Sequence, residues 1–91
     1  MAVARLNVEL GGGLGRLVGK ESVEVELDLP ARREEVISAL AEQVPELSRL
    51  LGTGEAARSL VAVSVGGVVL REGQEVGPGD SVSVFMAFAG G

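Results

Sequence analysis

"SVEVELDLPARREEVISALAEQV", residues Ser22 to Val44, changes its period halfway along, and that change decides the architecture. From Ser22 to Leu29 apolar and charged residues alternate singly, with Val23, Val25, Leu27 and Leu29 set against Glu24, Glu26 and Asp28. A strand turns successive side chains to opposite faces, so this half predicts a strand with one apolar and one acidic face. After Pro30 the spacing lengthens. Val36, Leu40 and Val44 recur every four residues and Ile37 and Ala41 widen the stripe, which predicts a helix from about Arg32 to Val44. Glu34 and Glu35 fall in its first turn, where the helix dipole favours carboxylates, although no Ser, Thr, Asp or Asn stands at a clear N-cap. Pro45 stops this helix and can open a short second one, with Leu47, Leu50 and Leu51 sharing a face and Gly52 ending it.

On either side of this segment the period is that of strands. Ala2 to Leu10 puts Ala4, Leu6, Val8 and Leu10 on one face, and "GGGLG", Gly11 to Gly15, breaks it. The glycine-rich stretch up to Lys20 reads as a flexible hairpin loop. "GTGEAAR", Gly52 to Arg58, is an exposed loop, and Ser59 to Val65 is a third strand. Gly66-Gly67 suits a primed hairpin turn, since both positions accept positive φ, and Val68 to Leu70 pairs back. "REGQEVGPGD", Arg71 to Asp80, supplies two turns before a last strand from Ser81 to about Phe88, with Val82 and Val84 inward. The order predicts an α+β fold: a mixed sheet of four to five strands, one main helix across one face, and a short second helix. With the first and last strands side by side at the sheet centre, this is a β-grasp. No repeat or linker divides residues 1–91, so one domain is expected, with a C-terminal tail over about 86–91.

Composition narrows the function. The 91 residues are 46% hydrophobic but only 2% aromatic, so the core is aliphatic, and both rings, Phe85 and Phe88, fall in the closing segment. A net charge of −5 repels phosphate backbones and argues against nucleic-acid binding. No apolar run approaches the roughly 20 residues that span a bilayer, and "MAVARLNVEL" lacks the pattern of a signal peptide. Without cysteine there is no disulfide, which fits the cytoplasm. Without His, Cys or Tyr the ordinary zinc sites and nucleophile–base pairs are missing, so no metal, no cofactor and no enzymatic activity of its own is expected.

Three features invite a site, and each has a plainer reading. "GGGLGRLVGK" fails as a phosphate loop because Leu14 stands where the first Gly belongs and Glu21 where Ser or Thr belongs. The row Glu24, Glu26 and Asp28 could hold a hard cation, but alternating carboxylates on an exposed face are ordinary solvation, or a means of steering a basic partner. Lys20, the sole lysine, reads as a surface charge. The closing stretch "FMAFAGG", Phe85 to Gly91, is different. From Met86 to Gly91 the chain can extend roughly 20 Å. Two glycines without Cβ atoms fit a narrow passage, and a terminal carboxylate with pKa about 3.5 is ionised at neutral pH and can attack an α-phosphate.

"LVGKESVEVELDLP" running into "EEVISALAEQVPELSRLL", then "VAVSVGGVVL" and "GPGDSVSVFMAFAGG", together resemble the ubiquitin-like sulfur carriers, a group that includes the small subunit of molybdopterin synthase and the thiamine-pathway carrier. The resemblance implies a β-grasp fold and activation by an ATP-dependent adenylating enzyme of the ubiquitin-activating type. It implies conversion of Gly91 to a thiocarboxylate on a tail that includes Ala89 and Gly90, and a second partner, the molybdopterin synthase large subunit or another sulfur-accepting enzyme. Pro45 to Arg58 resembles the molybdopterin type more than the shorter thiamine carriers. Carriers for cysteine synthesis or tRNA thiolation, and protein modifiers, are the alternatives within the same resemblance. Gly66-Gly67 replaces the frequent Asn-Gly, and Met86-Ala87 replaces a frequent proline before the tail. Phe85, Met86 and Phe88 are the residues expected to dock a partner, with Phe85 or Phe88 on an exposed apolar patch.

Overall fold

A computed structural model describes residues 3–52 and 60–86. The elements in chain order are β1 (Val3–Leu10), α1 (Leu14–Val18), β2 (Ser22–Asp28), β3 (Ala31–Arg32), α2 (Arg33–Gln43), α3 (Pro45–Leu51), β4 (Val61–Val65), β5 (Val68–Val69), β6 (Glu75–Val76) and β7 (Val82–Met86). The main sheet has the order β2-β1-β7-β4-β5. β1 runs antiparallel to β2, with Val8 opposite Val23, and parallel to β7, with Val8 opposite Val82. The first and last strands therefore lie side by side at the centre, and α2 crosses one face. This is the expected α+β, β-grasp arrangement.

The alternation in β2 and β1 does what its period implies. Val23, Val25, Leu6, Val8 and Leu10 are buried while Glu24, Glu26, Asp28, Arg5 and Glu9 are exposed. The stripe of α2 is buried against this face, with Val36 fully covered and Ile37 1% exposed. Each such aliphatic side chain removed from water contributes about 1.5–3 kcal/mol. The unsatisfied start of α2 is met from three residues ahead, because Glu35 Oε1 accepts the Arg32 backbone N–H at 2.8 Å. A sequence search for a Ser, Thr, Asp or Asn cap overlooks this half of a capping box. At the other hairpin, Gly66 and Gly67 have φ of +58° and +87°, as a primed turn requires.

Two expectations need correcting. The glycine-rich stretch after β1 is not a plain hairpin loop: Leu14–Val18 forms a short helix whose Leu14 is fully buried in the core. It ends at Gly19, whose φ of +83° places its N–H on the Gly15 carbonyl. "REGQEVGPGD" is not turns alone, since Glu75–Val76 forms a strand paired with Ala31–Arg32, and Val76 is fully buried. Two-residue strands are too short for their alternation to register in a sequence. Pro45–Leu51 forms the short second helix expected, and of its leucines Leu47 is buried while Leu50 is 41% exposed. The exposed loop read over Gly52 to Arg58 and the start of the third strand at Ser59 fall largely outside the described residues.

Candidate functional site

The sheet has two faces. One is covered by α2; among the described residues no element lies across the other, the open face, and the register shows which side chains share it. Ser83 lies opposite Ser64 and Glu9, Phe85 opposite Ala62, and Val69 opposite Ser64. Strand alternation puts these side chains on the face away from the buried Val82 and Val84. Phe85 is half-buried there, and a Cβ at Gly11 would come within 3.7 Å of the Phe85 Cβ. Val69 is 52% exposed at the sheet edge. The β7–β4–β5 half of the open face is thus apolar or small. The β1–β2 half carries Glu9, Glu24, Glu26 and Asp28, with Arg5 3.5 Å from Glu26.

Met86 differs from Phe85. It pairs with Val61, turns to the α2 side of the sheet and packs against the core cluster, so the two do not form one docking patch. Met86 is also the last residue of β7 rather than free tail. Ala87, Phe88, Ala89, Gly90 and Gly91 lie outside the described residues. Sequence reasoning missed Ala62 and Ser64, both on the adjacent strand β4, as neighbours of Phe85. Their adjacency comes from strand order, and no local period reports it.

At the end where β7 closes, α1 packs against β1 and β7. Lys20 Nζ lies 3.5 Å from Glu46 Oε2 and ties the end of α1 to the start of α3. The Glu46 carboxyl is held below the usual carboxylate range, chiefly by its own backbone N–H; desolvation opposes this, and Lys20 and then Arg49 add to the lowering. A depressed folded pKa stabilises above the unfolded value of about 4.3 and stops doing so as pH falls through the folded one. Glu46→Gln should therefore lower Tm slightly at neutral pH, and the difference from the parent should shrink and vanish as pH falls through the depressed folded pKa of Glu46. Thermal melts of the two proteins across that range check the sign.

This geometry, a β-grasp sheet with β1 and β7 paired at its centre and α2 across one face, is of the ubiquitin-like type. The ThiS family model matches residues 8–91, and the chain belongs to this family of ubiquitin-like sulfur carriers. No curated relative matches it. Among solved structures, SAMP1 from Haloferax volcanii superposes with a TM-score of 0.72 at 22% identity, over 97% of this chain and 100% of that one. A putative molybdopterin converting factor, subunit 1, from Pyrococcus furiosus gives 0.66 at 24% identity, over 90% and 95%. The small archaeal modifier protein 1 from Methanosarcina acetivorans gives 0.66 at 16%, over the whole of both chains. At these identities the likeness is one of fold.

Proposed function

We propose that this chain is a sulfur carrier whose Gly91 carboxylate is the group acted upon, serving as the small subunit of molybdopterin synthase. The observation that supports the reading is the placement of β7: in a ThiS-family chain, Val82–Met86 is a central strand between β1 and β4, and in sequence it directly precedes the closing residues that include Gly90 and Gly91. The carboxylate oxygen attacks the α-phosphate of ATP and pyrophosphate leaves. Sulfide sulfur, delivered by a donor, then attacks the acyl carbon and AMP leaves, giving a thiocarboxylate. The activating enzyme supplies the catalytic groups and this chain supplies the acyl group, as a cytoplasmic carrier rather than an enzyme. Two features favour the molybdopterin assignment: the length of Pro45 to Arg58, and the fold shared with the Pyrococcus furiosus protein.

Phe85 docks the partner through the open face, beside Ala62 on the adjacent strand, and Phe88 is the second ring assigned to docking. Phe85→Ser should raise the Kd for the activating enzyme about tenfold, the effect of losing one anchor, with Tm little changed. Calorimetry and a melt check both halves of that statement.

The test of function is intact mass after incubation with ATP, an activating enzyme and a sulfide source. A gain equal to one sulfur-for-oxygen exchange at Gly91 is expected. The modifier reading, favoured by the names of the two archaeal structures, gives lysine-linked adducts of other proteins instead. An unchanged mass with several activating enzymes overturns both.

A further inference from the structure

The outer edge of β2 carries an observation that the carrier role does not use. β2 is the end strand of the sheet, and Glu26 sits opposite Arg5 of β1. The Glu26 N–H and C=O do not go to β1. The N–H donates to Gln43 Oε1 at 2.8 Å, and Gln43 Nε2 donates to the Glu26 carbonyl at 2.7 Å. One carboxamide at the end of α2 thus makes the pair of bonds that the peptide group of a further strand would make. Backbone groups alternate in direction along a strand, so those of Glu24 point to the same edge as those of Glu26.

Between this edge and α2 lies a groove of about 330 Å³, lined by Glu26, Leu27, Ser38, Ala39, Glu42 and Gln43. Its floor is small and apolar at Ala39 and Leu27, and its rims carry carboxylates. Glu34 and Glu35 continue the acidic wall, paired at 3.6 and 3.9 Å with Arg33 and Arg32. On the open side Glu24 and Asp28 flank Glu26 along the strand.

We propose that this groove receives an extended basic segment of another protein, which adds to β2 as an outer strand in place of the Gln43 carboxamide. Charge complementarity selects the occupant. Alternate lysines or arginines of the incoming strand lie beside Glu24, Glu26 and Asp28, and the residues between them, small or branched and apolar, lie over Leu27 and Ala39. A second copy of this chain is the wrong occupant, because antiparallel pairing of two β2 edges sets carboxylate against carboxylate. Gln43 keeps the edge closed until a better strand arrives, which also guards a free edge against aggregation.

The experiment is an amide-resolved titration of the isotope-labelled full chain with an end-blocked Lys-Val-Lys-Val-Lys-Val peptide, and with its Glu-Val counterpart. The lysine peptide should shift the Glu24 and Glu26 amides, more weakly at raised salt, and the glutamate peptide should not. Gln43→Ala removes the competing carboxamide, so it should bind the lysine peptide several-fold more tightly and, without peptide, exchange the Glu26 amide faster. Gln43→Met keeps the side-chain stem and should show the same gain if the variant's fold is a concern. Equal affinity in parent and variants, or shifts spread over every acidic surface, would mean non-specific attraction and overturn the proposal. Self-association of Gln43→Ala without peptide would give the edge to a second copy and overturn it equally.

Discussion

Removal of Gly91 should cut thiocarboxylate formation by more than about a hundredfold while leaving Tm unchanged. The shortened chain still ends in a carboxylate, on Gly90, so the chemistry of the group is preserved. What changes is its reach: one residue of extended chain is about 3.5 Å. A displacement of even about 1 Å from the attacking geometry can cost a hundredfold in rate. Among the described residues the buried core runs from Leu6 to Val84, and the ladder between β7 and β4 reaches Met86 without the tail. Gly91→Ala separates reach from shape, since it restores the length and adds only a Cβ, and it should recover part of the loss unless the partner's passage is narrow at that point. Intact-mass time courses beside thermal melts provide both readings. Full activity of the shortened chain would mean that the reach of the carboxylate, and Gly91 with it, does not limit the reaction.

How much of this was legible in the sequence depends on the range of the interaction. The period change between Ser22 and Val44 reports local burial, and it located β2, α2 and the core residues Val25, Val36, Ile37 and Leu40 correctly. The pairing of β1 with β7 joins Val8 to Val82, far apart in sequence, and no periodicity encodes it; it came from the order of elements and the resemblance. The same gap hid the β3–β6 pair and the neighbours of Phe85. Side-chain substitutes for backbone escaped for another reason. Gln43 and Glu35 are ordinary helix residues in sequence, and only the approach of Glu26 and Arg32 backbone gives their oxygens a partner. At the site itself, Phe85 could be singled out because rings are so scarce in this chain. That Met86 turns the other way follows from alternation in β7, which becomes usable only when the strand's start is known.

The glycines after β1 provide the sharpest test of the fold. Gly15→Ala should destabilise the protein by about 1–3 kcal/mol, as overpacking of a tight site does. For a domain of this size that is a fall in Tm of about 5–20 °C. A Cβ at Gly15 would lie 2.8 Å from the Leu10 carbonyl oxygen and 2.8 Å from that of Lys20, and both are backbone atoms. Neither can step aside freely. The Leu10 N–H is bonded to Glu21 O at 2.8 Å, and the Gly19 and Lys20 N–H groups donate to Gly15 O at 2.7 and 3.0 Å. The end of β1, the turn of α1 and the approach to β2 therefore close on one residue that must lack a side chain. Gly13 is the internal control. It has φ of −83°, and a Cβ there meets nothing within 4 Å. Gly13→Ala should leave stability unchanged or raise it by about 0.4–1 kcal/mol through the unfolded chain. Equal effects of the two substitutions would mean that "GGGLG" is a slack loop after all and that α1 does not hold β1 to β2.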